Sequence, residues 1–228
     1  LAEILIETRR AADLLGATKM DRPEDVETDP KTGRVYVLLT KNDKRKADQI
    51  DPMNARAENV WGHIIELTPP ARGGKPDHPG SKFAWDMFIQ AGNPKDAAQG
   101  AKYGGEVSES GWFANPDNLA FDPKGRMWIA TDGFPDFGVH DGVWAADTDG
   151  AGRAVTKHFL GVPPGGELCG PAFTPDGQTF FVSVQHPGEE DESNFDTPTT
   201  RWPDFADGIP PRPSVVAIVK RGGGEIGS

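Results

Sequence analysis

The 228 residues carry 24 Lys and Arg against 35 Asp and Glu, a formal net charge of -11. An acidic surface repels nucleic acid and anionic membranes, so neither is an expected partner, and a phosphate-bearing ligand needs local positive charge to approach it. No apolar run is long enough to span a membrane, a single cysteine excludes an internal disulfide, and 28 Gly with 21 Pro at regular turn positions favour many short strands over disorder.

Residues 1–15 read as a short helix with Leu1, Ile4, Leu5, Ala11, Ala12 and Leu15 mostly on one face and Gly16 as its stop. The chain opens at Leu1 without an initiator Met or a signal peptide, and reads as a mature product, a domain or a proteolytic piece. Short β segments follow near 26–28, 34–40, 61–67 and 83–89. The turn Asp29-Pro30-Lys31-Thr32-Gly33 separates the first two. A second set falls near 119–121, 126–131, 142–147 and 154–160, with Asp141-Gly142 as a hairpin turn pair and Asp149-Gly150 before the last. A third set has only 171–174, 179–184 and 215–219.

Four antiparallel strands per unit, repeated with one turn signature, describe an all-β propeller. Its blades are expected at about 21–92, 115–162 and 167–220, with loop insertions at 41–60, 90–115 and 185–213. Three blades are too few to close, since about 4 are the usual minimum. A partner segment is therefore expected to supply the missing blades and the last blade's fourth strand, and pairing of two copies through exposed blades is the other way to cover them.

An acid precedes the innermost strand of each unit. Glu24 stands five residues before Asp29, Asp117 five before Asp122, and Glu167 seven before Thr174, a looser match that implies a longer loop. Residues at that place point at a propeller axis. Two carboxylates about 5 Å apart repel by roughly 3 kcal/mol at an effective dielectric near 20. Three converging ones need protonation, water or a cation, and oxygen donors make Ca²⁺ the first candidate. The same acids also fit solvated caps on turns. Asn118 adds a carbonyl that either joins the ligands or bonds its own backbone.

Arg22 lies two residues from Glu24. There it either grips an anion bound to the metal or pairs with Asp25 or Asp21. Cys169 reads as a buried small apolar residue and His63 as packed in its strand. His186 follows a strand end, where it serves structure or faces the site. Glu189-Glu190-Asp191-Glu192 reads as a solvated charge run, and Gly222-Gly223-Gly224 lacks the partners of a phosphate loop.

Met20-Asp21-Arg22-Pro23-Glu24, Asn115-Pro116-Asp117-Asn118-Leu119, Gly170-Pro171-Ala172-Phe173-Thr174-Pro175-Asp176-Gly177 and Gln185-His186-Pro187-Gly188-Glu189 together resemble the PhoX-type alkaline phosphatases. The resemblance implies a six-bladed propeller of which this chain is the C-terminal part, hydrolysis of phosphate monoesters, a calcium and iron cofactor, and export to the periplasm or beyond. It also implies phosphate binding by Arg22 and metal ligation by Glu24, Asp117 and Glu167. Family members are longer, with further ligands, including a cysteine at the irons, in an N-terminal half. Cys169 holds a place usually given to a hydroxyl residue, and Asp25 one that some members give to an aromatic. Taken alone, the chain is expected to be inactive. A calcium-dependent lactonase-like propeller and a propeller used only as a binding platform remain the competing readings.

Overall fold

The computed structural model describes residues 1–133 and 138–228. Its helices are α1 (Ala2–Ile6) and α2 (Thr8–Leu14), broken at Glu7 rather than continuous. No residue of either helix is buried, and Leu1, Ile4, Leu5, Leu14 and Leu15 are exposed. The apolar face expected of this segment has no sheet against it here.

Three antiparallel sheets follow, and the protein is all-β. The first joins β1 (Pro23–Thr28), β2 (Val35–Leu39), β3 (His63–Thr68) and β6 (Ala84–Gln90) in that order. A two-residue-per-strand hairpin, β4 (Ala71–Arg72) with β5 (Lys75–Pro76), interrupts it. The second sheet runs β7 (Pro116–Phe121), β8 (Met127–Thr131), β9 (Gly142–Ala146) and β10 (Lys157–Gly161). The third has three strands, β11 (Glu167–Phe173), β12 (Thr179–Gln185) and β13 (Ser214–Val219). The innermost strands β1, β7 and β11 pack side by side, as in propeller blades.

Why these stretches pair is legible in their chemistry. Met127-Trp128-Ile129-Ala130-Thr131 is buried at every position because β8 has a blade on each face. Met127 and Ile129 pack with Tyr36, Leu38, Ile64 and Phe88 of the first sheet, while Trp128 and Ala130 pack with Leu168, Phe180 and Val182 of the third. A continuous apolar run is what two-sided burial demands. The turns between first and second strands are held by buried aspartates: Asp29 Oδ1 accepts from Lys31 N at 2.8 Å, and Asp122 Oδ1 from Lys124 N at 2.9 Å. Asp141-Gly142 differs from expectation. It forms no hairpin turn; the Asp141 carboxylate accepts from the Thr131 hydroxyl at 2.6 Å and from Gly133 N at 2.7 Å, tying a longer loop.

Adjacent blades are joined at the axis by side chains that reach the next blade's backbone. Asp25 Oδ2 accepts from Leu119 N at 2.8 Å, and Asn118 Oδ1 accepts from Gly170 N at 2.9 Å. Each follows the acid singled out in its blade by one residue.

His63 is buried, as expected. Its Nε2 donates to the Met53 carbonyl at 2.8 Å and its Nδ1 accepts from Asn59 Nδ2 at 3.1 Å, which is the neutral tautomer. Burial pushes its pKa down from 6.5 to about 4. The unfolded chain therefore binds more protons between these values, so stability is complete above the unfolded pKa and falls as pH drops through the window. Urea unfolding at successive pH values is expected to show a loss of about 3 kcal/mol from this group. In His63→Gln, which keeps a donor for Met53, that part of the slope disappears.

Candidate functional site

Each innermost strand is entered through a residue in the left-handed backbone region. Arg22 has φ 47, Asn115 φ 52 and Gly165 φ 65, and each stands two residues before an acid: Glu24, Asp117 and Glu167. Such values are unusual for residues other than glycine. At 165 glycine is required twice over, since a Cβ would lie 2.5 Å from Glu189 N. The acids themselves are in the strands rather than in preceding loops, because β1, β7 and β11 begin several residues earlier than their apolar patterns suggest.

Pairing aims the side chains. The ladder between β1 and β2 skips Glu24, and that between β7 and β8 skips Asp117, so each acid is the extra residue of a β-bulge. A bulge turns its residue away from the regular alternation, a common device beside active sites. In the third sheet the irregularity falls between Cys169 and Ala172 instead. Cys169 holds the five-before-turn position there, and Glu167 reaches the same face from two residues earlier. The looser spacing of Glu167 is thus a shift along one strand, not a longer loop.

The three acids converge. Asp117 is 7% exposed. Burial first, then the charges of Asp132, Glu24 and Glu167, push its pKa up to about 7. Arg22 sits against this group: its Nε donates to Glu24 Oε1 at 2.5 Å and its Nη2 faces Asp132 Oδ2 at 3.5 Å. Burial opposes the guanidinium's charge, but Glu24 outweighs it and the net shift is upward.

Glu167 is held on both oxygens. The Cys169 thiol donates to Oε1 at 2.8 Å; Gln185 Nε2 donates to Oε2 at 2.7 Å, and His186 Nε2 lies 3.0 Å from the same oxygen. Burial acts upward on its pKa, yet these bonds carry it below the ordinary value. The thiol is pushed up by burial and by Glu167, and stays protonated. Cys169 is therefore half-buried and faces the site, not the core as expected from its residue type. His186 also faces the site; burial opposes its charge, but Glu167 prevails and its pKa is raised. Its Nδ1 lies 2.8 Å from Glu189 Oε2, whose side chain is 71% exposed, so the acidic run is solvated as expected and touches the site through this one contact. Asn118 has its carbonyl oxygen engaged by Gly170 N at 2.9 Å.

Asp132 was not singled out from the sequence. Burial and then Glu167 raise its pKa, against Arg22 and Lys41. The antiparallel register explains its place: Pro23 pairs with Leu39, Pro116 with Thr131 and Glu167 with Gln185. The residue just past each second strand therefore stands beside the entry of the innermost one. Those residues are Thr40, Asp132 and His186.

Arg22 is positioned by its neighbour. Asp21 is fully buried, and its Oδ1 accepts from Arg45 Nε at 2.6 Å and Asn42 Nδ2 at 3.0 Å, its Oδ2 from Asn59 Nδ2 at 3.2 Å. Arg45 also donates to the carbonyls of Lys19 and Gln49. The 41–60 insertion thus folds around Asp21 and fixes the backbone that aims Arg22. Beside the acids, a cleft of about 680 Å³ is lined by Asp132, His140, Asp141, Val162, His186 and Glu189 among others.

Four carboxylates around one guanidinium make a strongly negative site of oxygen donors. A hard divalent cation satisfies that chemistry. Among the described residues no three His, Cys, Asp or Glu side chains already stand as a closed metal cage.

Truncation of Asp21 to Ala leaves the Arg45 charge buried and unpaired. The expected loss is about 3–5 kcal/mol of stability, read as a shifted urea midpoint. An unchanged midpoint means that the 41–60 insertion does not anchor Arg22.

Comparisons with known proteins bear on the family and the fold. The family model described as "Alkaline phosphatase PhoX" matches residues 1–188. A comparison with curated proteins gave no match. Among solved structures, Pseudomonas fluorescens PhoX in complex with vanadate, a transition state analogue, superposes with a TM-score of 0.85 at 36% identity. That alignment covers 99% of this chain and 38% of the other, so the chain spans well under half the length of that protein. The chain belongs to the PhoX alkaline phosphatase family.

Proposed function

We propose that this chain forms the C-terminal part of a metal-dependent phosphatase that hydrolyses phosphate monoesters. The observation that carries this reading is Arg22 at 2.5 Å from Glu24, within the carboxylate cluster. An anion-gripping group sits inside a cation-demanding site, which is what a phosphoryl group bridging metal and protein requires. Vanadate bound to the P. fluorescens protein supports phosphoryl transfer as the chemistry.

In this reading Glu24, Asp117, Glu167 and Asp132 hold the cation. Calcium suits the oxygen donors, and iron is the second metal that the family resemblance implies, with its other ligands beyond this chain. When bound, the metals supply neutralisation of phosphoryl charge and activation of an oxygen nucleophile. The chain's own residues prepare the site. Arg22, oriented through Nε by Glu24, directs its Nη groups at a non-bridging phosphoryl oxygen. Cys169, Gln185 and His186 fix the carboxylate plane of Glu167. Asp21 and Arg45 hold the strained backbone at Arg22. The half-open cleft admits the ester's organic part.

The lactonase alternative is disfavoured by Arg22. An Arg22 remote from the acids would favour it, and Arg22 instead contacts Glu24 and Asp132. The three-stranded last sheet and the 38% coverage support a longer parent protein; six blades and a place in the periplasm or outside the cell are what the family resemblance implies for it.

In the intact, metal-loaded protein, Arg22→Met is expected to lower kcat/KM for p-nitrophenyl phosphate about 100-fold, in the range of lost charge-stabilising donors. Asp117→Asn is expected to reduce bound calcium measured by elemental analysis as well as turnover. Wild-type rates in both variants would end this reading. The 228-residue chain by itself is expected to show no turnover, and activity from the pure chain would mean that its own residues complete the site.

A further inference from the structure

The middle acid is entered through Asn115, and this residue differs from the entries to the other two. Arg22 places its side chain in the site, and Gly165 has none. Asn115 is fully buried, and its amide crosses to the end of β2 and to the insertion that follows it. Nδ2 donates to the Thr40 carbonyl at 3.1 Å and to the Val60 carbonyl at 2.9 Å, and the backbone N donates to the Trp61 carbonyl at 2.7 Å. The Asn115 carbonyl in turn accepts from Asp132 N at 3.0 Å. These bonds lead straight to the site. Thr40, also fully buried, donates its backbone N to the Arg22 carbonyl at 3.0 Å and its hydroxyl to the Pro116 carbonyl at 3.0 Å. From Asn115 to Asp117 the chain passes only through Pro116, which is buried and has its φ fixed by the ring. Arg22, Asp117 and Asp132 are thus each linked to Asn115 directly or through one intervening residue.

Asn115 also carries two costs that selection for stability alone would remove. Its φ of 52 lies in the left-handed region, where an L side chain is strained. Its Oδ1 is buried and, among the described residues, has no hydrogen-bond partner. The amide cannot turn over to relieve this, because both carbonyls need Nδ2. Oδ1 faces Gly133, where a Cβ would lie 2.9 Å from it and 3.2 Å from Asp141 Oδ1. A strained backbone and an unsatisfied buried acceptor at one position mark a residue kept for its geometry.

We propose that Asn115 is a positioning residue for the site: its amide sets the spacing of Asp117 and Asp132 from each other and from Arg22, and with it the affinity of the acids for their cation. The inference rests on the cation-binding part of the phosphatase reading. The two N–H groups of the amide match the two carbonyls. An aspartate of the same shape, which has no donor when ionised, would not close the seam.

The test uses the intact protein. Asn115→Gly accepts the left-handed backbone without strain and removes the amide. Calcium bound after dialysis at graded free concentrations, measured by elemental analysis, is expected to half-saturate at about 10-fold to 100-fold more calcium than in the wild type. Turnover of p-nitrophenyl phosphate follows the same shift and recovers most of its wild-type maximum at saturating calcium. Thr40→Val, which removes the hydroxyl link to Pro116, moves the midpoint the same way by less. A purely structural role gives a different result: a lower melting temperature with the calcium midpoint of the folded protein unchanged. That result, or no change at all, overturns the inference. Wild-type protein that binds calcium but hydrolyses no phosphate monoester, with the midpoint still shifted in Asn115→Gly, sinks only the phosphatase reading. An unmoved midpoint with wild-type hydrolysis intact sinks only the role of Asn115, and a wild type without saturable calcium binding overturns both.

Discussion

The structure turns on one electrostatic constraint: Glu24, Asp117, Asp132 and Glu167 are brought to the same end of three sheets, where like charges oppose their ionisation. The Arg22 guanidinium and the hydrogen bonds on Glu167 offset part of that repulsion, and Asp117 shows what remains, with its pKa pushed to about 7. A fold does not gather acids in this way for stability. Buried like charges are tolerated where a ligand compensates them, and strongly shifted carboxylates mark functional sites for that reason.

Three devices supply the geometry. Left-handed residues set the entry to each innermost strand, bulges at Glu24 and Asp117 turn those side chains toward the axis, and antiparallel pairing brings Asp132 and His186 alongside. Around these, the buried Asp21–Arg45 pair holds the first entry, and the two-faced burial of β8 holds the middle sheet between its neighbours. The aromatic column from Phe113 to His158 belongs to the same middle sheet and its flanking loop.

Much of this was legible in the residues. Strand positions followed from β-rich runs between Asp-Pro and Pro-Asp-Gly turns, and the expected meeting of Glu24, Asp117 and Glu167 followed from an acid ahead of each innermost strand, at one spacing for the first two and a looser one for the third. What escaped had a physical reason. Asp132 follows a second strand, and only the pairing register, which no local pattern displays, puts it beside the acids. Asp141-Gly142 has the residues of a tight turn, but its carboxylate is taken by Thr131 and Gly133. Cys169 was assigned to the core on its type; the shifted bulge in its strand gives it the place that an acid holds in the other two sheets. The helix at 1–15 showed an apolar face, and a face in sequence does not say what covers it.

The backbone-reaching side chains of Asp25 and Asn118 sit one residue from Glu24 and Asp117. The angle between neighbouring sheets and the distance between neighbouring charges are therefore a single mechanical variable. Widening either seam by a few tenths of an ångström would spread the carboxylates while every strand remained paired. Affinity at the proposed cation site is thus the finer gauge of this molecule's integrity, and is expected to fade on warming before the sheets themselves come apart.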